Sequence, residues 1–292
     1  MPKISLIVAT LGRDVELIRL FESLEKQSLL DFEVIVVDQN SDRRVSTVLS
    51  KIQSSFPIIH LHRGDIRGLS LSRNVGIAHS SGDFLMFPDD DCWYPSWLLK
   101  NFSDTADKHA ADIVAGRAAD ENGRSINARY VQNFTEITFD NAFETQIEWM
   151  VFVKRQVLDQ IGGFDVELGV GAPTPWQSCE GPDLVLRALK KGFKAYFDPA
   201  LHGYHHELIL YEPSRALRAK ALAYAFGMGF VMRKHGYSLF FALYRCTRPL
   251  LRMAIALLRF NFAKANYYFV ISRGRFEGYM WPSIVLERYR RL

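Results

Sequence analysis

Three adjacent carboxylates, Asp89-Asp90-Asp91, close the apolar run from Phe84 to Phe87. Such neighbours repel one another unless a cation or several donors hold them. An all-oxygen set suits Mg²⁺ or Mn²⁺, which sites of this kind hold jointly with substrate phosphates. A solvated acidic loop is the plainer reading of an isolated triplet. Its place after an apolar segment and before Trp93-Tyr94 favours the metal. Asp38 closes another apolar run, as a strand-ending turn residue or as an acceptor of hydrogen bonds from a base or ribose. Arg73, near a helix start, reaches a phosphate or lies on the surface. Glu180 precedes Gly181-Pro182 in a site loop, and Asp183 sits where a helix macrodipole favours an acid. Either could accept a proton. Trp176 is a large aromatic ring that could face a ligand or pack in a core. A zinc centre built from Cys92, Cys179, His202, His205 and His206 lacks C-x-x-C or H-x-x-x-H spacing and is set aside.

These residues are far apart in sequence, and the apolar pattern supplies the scaffold that could gather them. Ile4 to Ala9 and Glu33 to Val37 are short, β-branched and apolar, as strands buried on both faces are. Between them Val15, Ile18, Phe21 (or Leu20) and Leu24 recur at helical spacing, giving the β-α-β crossover that parallel strands need. A helix from Val45 to Ser54, a strand from Ile58 to Leu61, a helix from Leu71 to His79 and a strand from Asp83 to Phe87 continue the alternation. The pattern predicts an α/β doubly wound, mainly parallel sheet flanked by helices. Ligands in such sheets sit beyond the carboxyl ends of the strands. Thr10, Asp38 and the aspartate triplet all fall there. A helix from Trp97 to His109, strand-like pieces at Ile113 to Ala115 and Trp149 to Val153, a glycine-rich loop over 162–171 and a helix from Asp183 to Lys191 follow.

The 292 residues are 48% apolar and 23% charged, which excludes a disordered or low-complexity chain. Three scattered cysteines do not make a disulfide framework and fit a reducing compartment. The start reads as a first strand, not a secretory signal, and no apolar stretch reaches the ~18 residues of a membrane span. The net charge of +4 conceals an asymmetry. From Pro213 onward lie fifteen of the 36 basic but two of the 32 acidic residues, so that part carries +13 and the remainder −9. A domain boundary is expected at about residue 212.

Taken together, SLIVAT, EVIVVDQNSD, GLSLSRNVGIAHSSGDFLMFPDDD, GGFD, the later Glu-x-x-Asp-Leu-x-x-Arg and a His after Asp-Pro resemble the family 2 nucleotide-sugar glycosyltransferases, over roughly residues 3 to 206. The resemblance implies a GT-A fold for residues 1–212, with the nucleotide bound by about 1–95 and the acceptor by about 96–212. It implies inverting, metal-dependent transfer of a sugar from a nucleoside diphosphate, most often UDP, to a glycan or lipid-linked acceptor in cell-surface polysaccharide or glycoconjugate synthesis. Thr10, Asp38, Arg73, Asp89 and Asp90 would hold the nucleotide. Asp89 and Asp91 of the DXD motif would hold Mg²⁺ or Mn²⁺, with His205 completing the shell or touching the diphosphate. A single displacement needs one general base. The family often has Glu-Asp-x-Asp, whose first Asp is that base; here Gly181 stands at its position. That leaves Glu180 first and Asp183 second, with Trp176 on the acceptor side.

Two other functions compete with this one. A sugar-phosphate nucleotidyltransferase wants a glycine-rich, Arg-containing phosphate loop near the start, where only Gly12 and Arg13 occur. A non-catalytic, membrane-associated partner of the same fold has the missing Asp at position 181 as its motive. Residues 213–292 are aromatic-rich and mostly helical in pattern. Arg245, Arg248, Arg252 and Arg259 fall within about 60° on a helical wheel, with Leu250, Met253 and Leu257 on the other side. Pro249 is expected to kink or restart the helix. The tail is read as a patch for an anionic membrane surface, placing the chain in the cytoplasm on the membrane's inner face. The alternatives are a cap on the catalytic part or a homodimer contact; nucleic acid is not expected.

Overall fold

The computed structural model describes residues 3–207 and 213–281. The boundary expected near residue 212, and Glu287 with the last arginines, lie outside these residues. By internal contacts the described chain divides into two units, residues 3–165 with 184–207 and residues 166–183 with 213–281.

The first unit is built on an eight-stranded sheet. Strands β1 (Ile4–Thr10), β2 (Phe32–Asp38), β3 (Ile58–His62) and β4 (Phe84–Met86) are mutually parallel in the order β3-β2-β1-β4, joined through helices α1 (Val15–Leu24), α2 (Arg44–Leu49) and α3 (Leu69–Ala78). Every residue of β1 and β2 is buried, which is why both read as unbroken apolar runs. The second half adds α4 (Leu98–His109), β5 (Ile113–Ala119), β6 (Thr135–Glu136), β7 (Val151–Lys154), α5 (Arg155–Ile161), β8 (Ala195–Tyr204) and, from Leu184 onward, α6 (Glu180–Lys190), whose first four residues are counted with the second unit. There the sheet continues β7-β5-β8-β6, with β7 antiparallel to both β4 and β5 and β6 antiparallel to β8. The doubly wound, mainly parallel sheet is therefore present.

Two local expectations change. Helix α1 turns Leu17, Leu20, Phe21 and Leu24 inward while Val15 and Ile18 face solvent, so the inward stripe is displaced from the expected one. Helix α6 begins at Glu180, before the expected Asp183, and carries Pro182 in its first turn. Proline is tolerated there because the first amides of a helix have no intrahelical acceptor.

The second unit contains α7 (Arg215–Lys234), α8 (Leu239–Leu258) and α9 (Phe262–Met280). Each opens on a polar cap: Ser214 accepts from the Leu217 amide, Ser238 from Phe241 and Asn261 from Lys264. Helices α7 and α9 approach closely enough that a Cβ at Gly229 would lie 2.2 Å from the Arg275 carbonyl oxygen, and one at Gly278 would lie 2.3 Å from that of Phe226. Helix α8 continues through Pro249 and does not restart there. A proline deprives the carbonyl four residues earlier, that of Arg245, of its helical donor. Nη1 of Arg275 on α9 supplies the replacement at 2.5 Å. Burial and the nearby Arg245 charge bring Arg275 down to about 10, so it stays charged at neutral pH. Arg245 itself is buried and does not join an outward stripe of arginines. Among the described residues no helix is long and apolar enough to cross a membrane.

Candidate active site

The first group of site residues gathers at the carboxyl edge of the parallel strands. Thr10 and Asp38 end β1 and β2 in direct register, and Asp89, following β4, bridges to Ala9. The sheet thus draws together residues nearly eighty positions apart. Thr10 Oγ1 donates to Asp90 Oδ2 at 2.8 Å. The Arg13 guanidinium pairs with Asp90 and, at 2.7 Å, with Asp91 Oδ2. Burial pushes the Asp90 carboxyl above its usual value, against the pull of Arg13 and Thr10. Asp91 is less buried; desolvation there is outweighed by His205 and Arg13, which hold its carboxyl below the usual range.

His205 reaches Asp91 because the chain after the triplet is tied to β8. Trp93 and Tyr204 exchange backbone hydrogen bonds at 3.1 and 2.8 Å, which holds the segment after the triplet beside the end of β8, with Asp91 and His205 each within two residues of the bridge. His205 Nε2 lies 3.2 Å from Asp91 Oδ1, Nδ1 meets the His206 carbonyl at 2.8 Å, and the ring stacks on Trp149. The hydrogen bond with Asp91 raises the His205 pKa in spite of burial.

Asp38 is fully buried, with Oδ1 accepting from the Asn40 amide and side chain and Oδ2 lying 3.2 Å from His60 Nε2. Gly12, at a positive φ of 79°, points its amide at Asn40 Oδ1, so the loops after β1 and β2 are joined at 2.7 Å. Arg73 is buried on α3, its guanidinium near the rings of Phe87 and Phe164 and 3.2 Å from Asp89 Oδ1. It fixes an aspartate of the triplet and is not a surface arginine. The neighbouring Asn74 bonds both the amide and the carbonyl of Phe164 at 2.8 Å. Gly163 has φ 73°, and a Cβ there would meet the Asn74 oxygen at 2.6 Å. Arg187 completes this lock by donating to the Ile161 and Gly163 carbonyls. The Arg-Asn, Gly-Gly-Phe and Leu-x-x-Arg motifs are thus one hydrogen-bonded assembly behind the triplet.

Glu180, Asp183 and Trp176 belong to the other unit. Cys179, immediately before Glu180, holds a left-handed φ of 68° that a non-glycine residue rarely adopts, and Glu180 is buried at the head of α6. Asp183 is fully buried, with Lys234 Nζ at 2.7 Å and His235 Nε2 at 2.8 Å. Removing one member of such a set strands the opposite charges. Asp183→Ala is expected to lower unfolding stability by about 3–5 kcal/mol, measured by urea denaturation; an unchanged midpoint would show these contacts to be dispensable. Trp176 stacks on Phe230 at a centroid separation of 3.7 Å and is buried, so its ring is packed rather than displayed.

Sequence reasoning passed over Arg13, His60 and the Lys234-His235 pair. Arg13 carried a signal, since a Gly-Arg step after the first strand lies on the ligand edge. His60 had only its inward register on β3, and the Lys234-His235 pair gave no local sign.

The sequence model of Glycosyl transferase family 2 matches residues 5–164. The GalNAc(5)-diNAcBac-PP-undecaprenol beta-1,3-glucosyltransferase of Campylobacter jejuni is 30% identical over 125 residues, covering 42% of this chain and 40% of that protein. The chain spans between 31% and 63% of the length of three curated relatives it matches. Among solved structures, S. aureus TarS 1–349 in complex with UDP-GlcNAc superimposes with a TM-score of 0.55 at 16% identity, over 99% of this chain and 92% of that one. The mannosyltransferase PcManGT from Pyrobaculum calidifontis, in complex with GDP-Man and Mn²⁺, gives 0.61 at 15% identity, over 97% and 88%. At these identities the structures establish the GT-A fold alone. The family match runs from the first strand through the aspartate triplet to Phe164, more than half of the chain, and the chain belongs to glycosyl transferase family 2.

Proposed function

We propose that this chain transfers a sugar, with inversion, from a nucleoside diphosphate sugar to a glycan or lipid-linked acceptor in cell-surface glycan synthesis. The observation that carries the donor half is the edge at which Thr10, Asp38 and the aspartate triplet converge within one hydrogen-bonded frame. Asp38, with His60 beside it, would receive the base; UDP is favoured, as a TarS structure holds UDP-GlcNAc. The lipid-linked acceptor is favoured because the C. jejuni relative is named for an undecaprenol-linked one. On this reading the chain works at the inner face of the membrane. The nucleotidyltransferase alternative loses its motive once the family is assigned, whereas the non-catalytic one rests on Gly181 and is answered by turnover of the wild-type chain.

The donor set fits a divalent cation of the substrate-shared kind. Asp91 Oδ1 and His205 Nε2 stand side by side, one oxygen and one nitrogen, at 3.2 Å. Among the described residues no group of three or more His, Cys, Asp or Glu side chains could hold a metal unaided. Two protein donors plus diphosphate oxygens are what Mg²⁺ or Mn²⁺ accepts. Asp91 and His205 would hold it, and the bound ion would supply positive charge to the leaving diphosphate. Asp90, spanned by Thr10 and Arg13, positions the loop, while Arg73 orients Asp89. Arg13 occupies the carboxylates that a cation would use. Arg13→Gln is therefore expected to tighten Mn²⁺ binding without nucleotide about five- to tenfold, a share of a cation–carboxylate interaction softened by exposure. A Mn²⁺ titration followed by electron paramagnetic resonance reads this, and weaker binding would show that Arg13 shapes the site instead of competing for it.

Glu180 is our general base; Asp183 is engaged by Lys234 and His235. The reading is tested by thermal shift with UDP-, GDP- and dTDP-sugars, with and without Mn²⁺ or Mg²⁺. Metal-dependent stabilisation by one nucleotide class is expected, and none by any class would overturn it.

A further inference from the structure

We infer that the outward face of α8 is a docking surface for an anionic lipid bilayer. The inference extends the lipid-linked acceptor reading above, and it stands on the helix itself.

Helix α8 is 20 residues long. Its inward side is small or sealed: Ala242, Cys246, Pro249 and Ala256 are buried. The opposite side is apolar and open to solvent. Phe240 is 82% exposed, Leu251 66%, Ile255 50% and Leu258 80%. At 100° per residue, Phe240, Leu251 and Leu258 fall within about 20° of one another. Leu243, Leu250 and Leu257 extend the arc on one side and Tyr244 and Ile255 on the other, to about 160° in all, with Thr247 its one strongly polar interruption. At the hairpin end, Phe260 and Phe262 continue the exposed apolar surface. Single exposed apolar residues need no explanation, but a contiguous stripe along a whole helix does.

Charge decides between occupants. Arg248, Arg252 and Arg259 line one flank of the arc, at about 80–120° from Phe240. From Pro213 to Trp281 the chain has twelve Lys and Arg against one acid, Glu277. A second copy would meet this face with the same excess of positive charge, whereas an anionic headgroup layer complements it. An apolar arc flanked by arginines, on a helix that does not qualify as a span, is the form of a helix lying in the interfacial plane. Leucines and phenylalanines would enter the acyl boundary, with the guanidinium groups at headgroup level.

The test is flotation of the full chain with vesicles of phosphatidylcholine alone or mixed equally with phosphatidylglycerol. Wild type is expected to float with the mixed vesicles and to do so less with the neutral ones. Leu251→Glu/Leu258→Glu should remain at the bottom of the gradient. The triple change Arg248→Gln/Arg252→Gln/Arg259→Gln should weaken partitioning onto anionic vesicles roughly 10²-fold, about fivefold per arginine. Each variant is checked for folding by its melting curve, since all five positions are exposed. Wild type that stays unbound, or a double variant that floats like wild type, overturns the inference. So does a dimer by light scattering that the double variant dissociates without any flotation, because a second copy then covers the face. Nucleotide-dependent thermal shifts, read separately, tell failure of the donor reading from failure of the docking surface.

Discussion

Glu180→Gln is expected to lower the turnover number for sugar transfer about 10²–10⁴-fold, the usual contribution of a general base. In activation free energy that is about 2.7–5.4 kcal/mol. The substitution keeps the size of the side chain and removes its ability to take the acceptor proton. Glu180 opens α6 and follows a residue in left-handed conformation, so its backbone direction is tightly set. Gly181 has no group to titrate, and Asp183 is buried between Lys234 and His235. Donor binding should be unaffected, so the thermal shift given by the nucleotide sugar must match wild type while turnover falls. A variant with full turnover would transfer the base role to another carboxylate.

Asp91→Ala is expected to weaken Mn²⁺-dependent nucleotide binding by at least about 10²-fold, since losing partners outside the ligand shell alone costs 10–100-fold. Isothermal titration with UDP in the presence of Mn²⁺ or EDTA measures this. Equal affinity in both would remove the metal from Asp91. The same variant carries a pH signature in metal-free buffer. His205 is raised by its hydrogen bond to Asp91, so its contribution to stability is complete below its unfolded pKa and fades as pH rises through the folded value. Asp91 is depressed, so its contribution holds above its unfolded pKa and is lost as pH falls through the folded value. The wild-type advantage in melting temperature should therefore peak between the ordinary Asp and His values, about pH 4 to 6.5. It should shrink as the solution becomes more alkaline.

The strands and the ligand edge were legible because their causes are local. Buried parallel strands must be apolar on both faces, and the edge residues follow directly after them. The burial of α1 was misjudged because the helix carries apolar residues on two faces, and only the sheet beneath it selects Leu17, Leu20, Phe21 and Leu24. The site motifs were legible as a set, but Arg73 and Asn74 turn out to serve Asp89 and Phe164, relations that sequence spacing does not encode. Asp183 looked available as a base because its partners lie more than fifty positions onward. In the tail, the arginine stripe lost Arg245 to the interior, while the exposed apolar arc depends on which side of α8 meets α9.

The carbonyl of Arg245, orphaned by Pro249 and satisfied by Arg275, has a consequence for the order in which the chain is made. A ribosome releases the proline before the arginine that repairs the helix around it. Until α9 is synthesised, the middle of α8 has only water to fill the gap and is free to bend. With α9 in place, Arg275 supplies the donor for that carbonyl in α8. A chain that ends before α9 therefore lacks the donor that bridges the break in the hydrogen-bond ladder of α8.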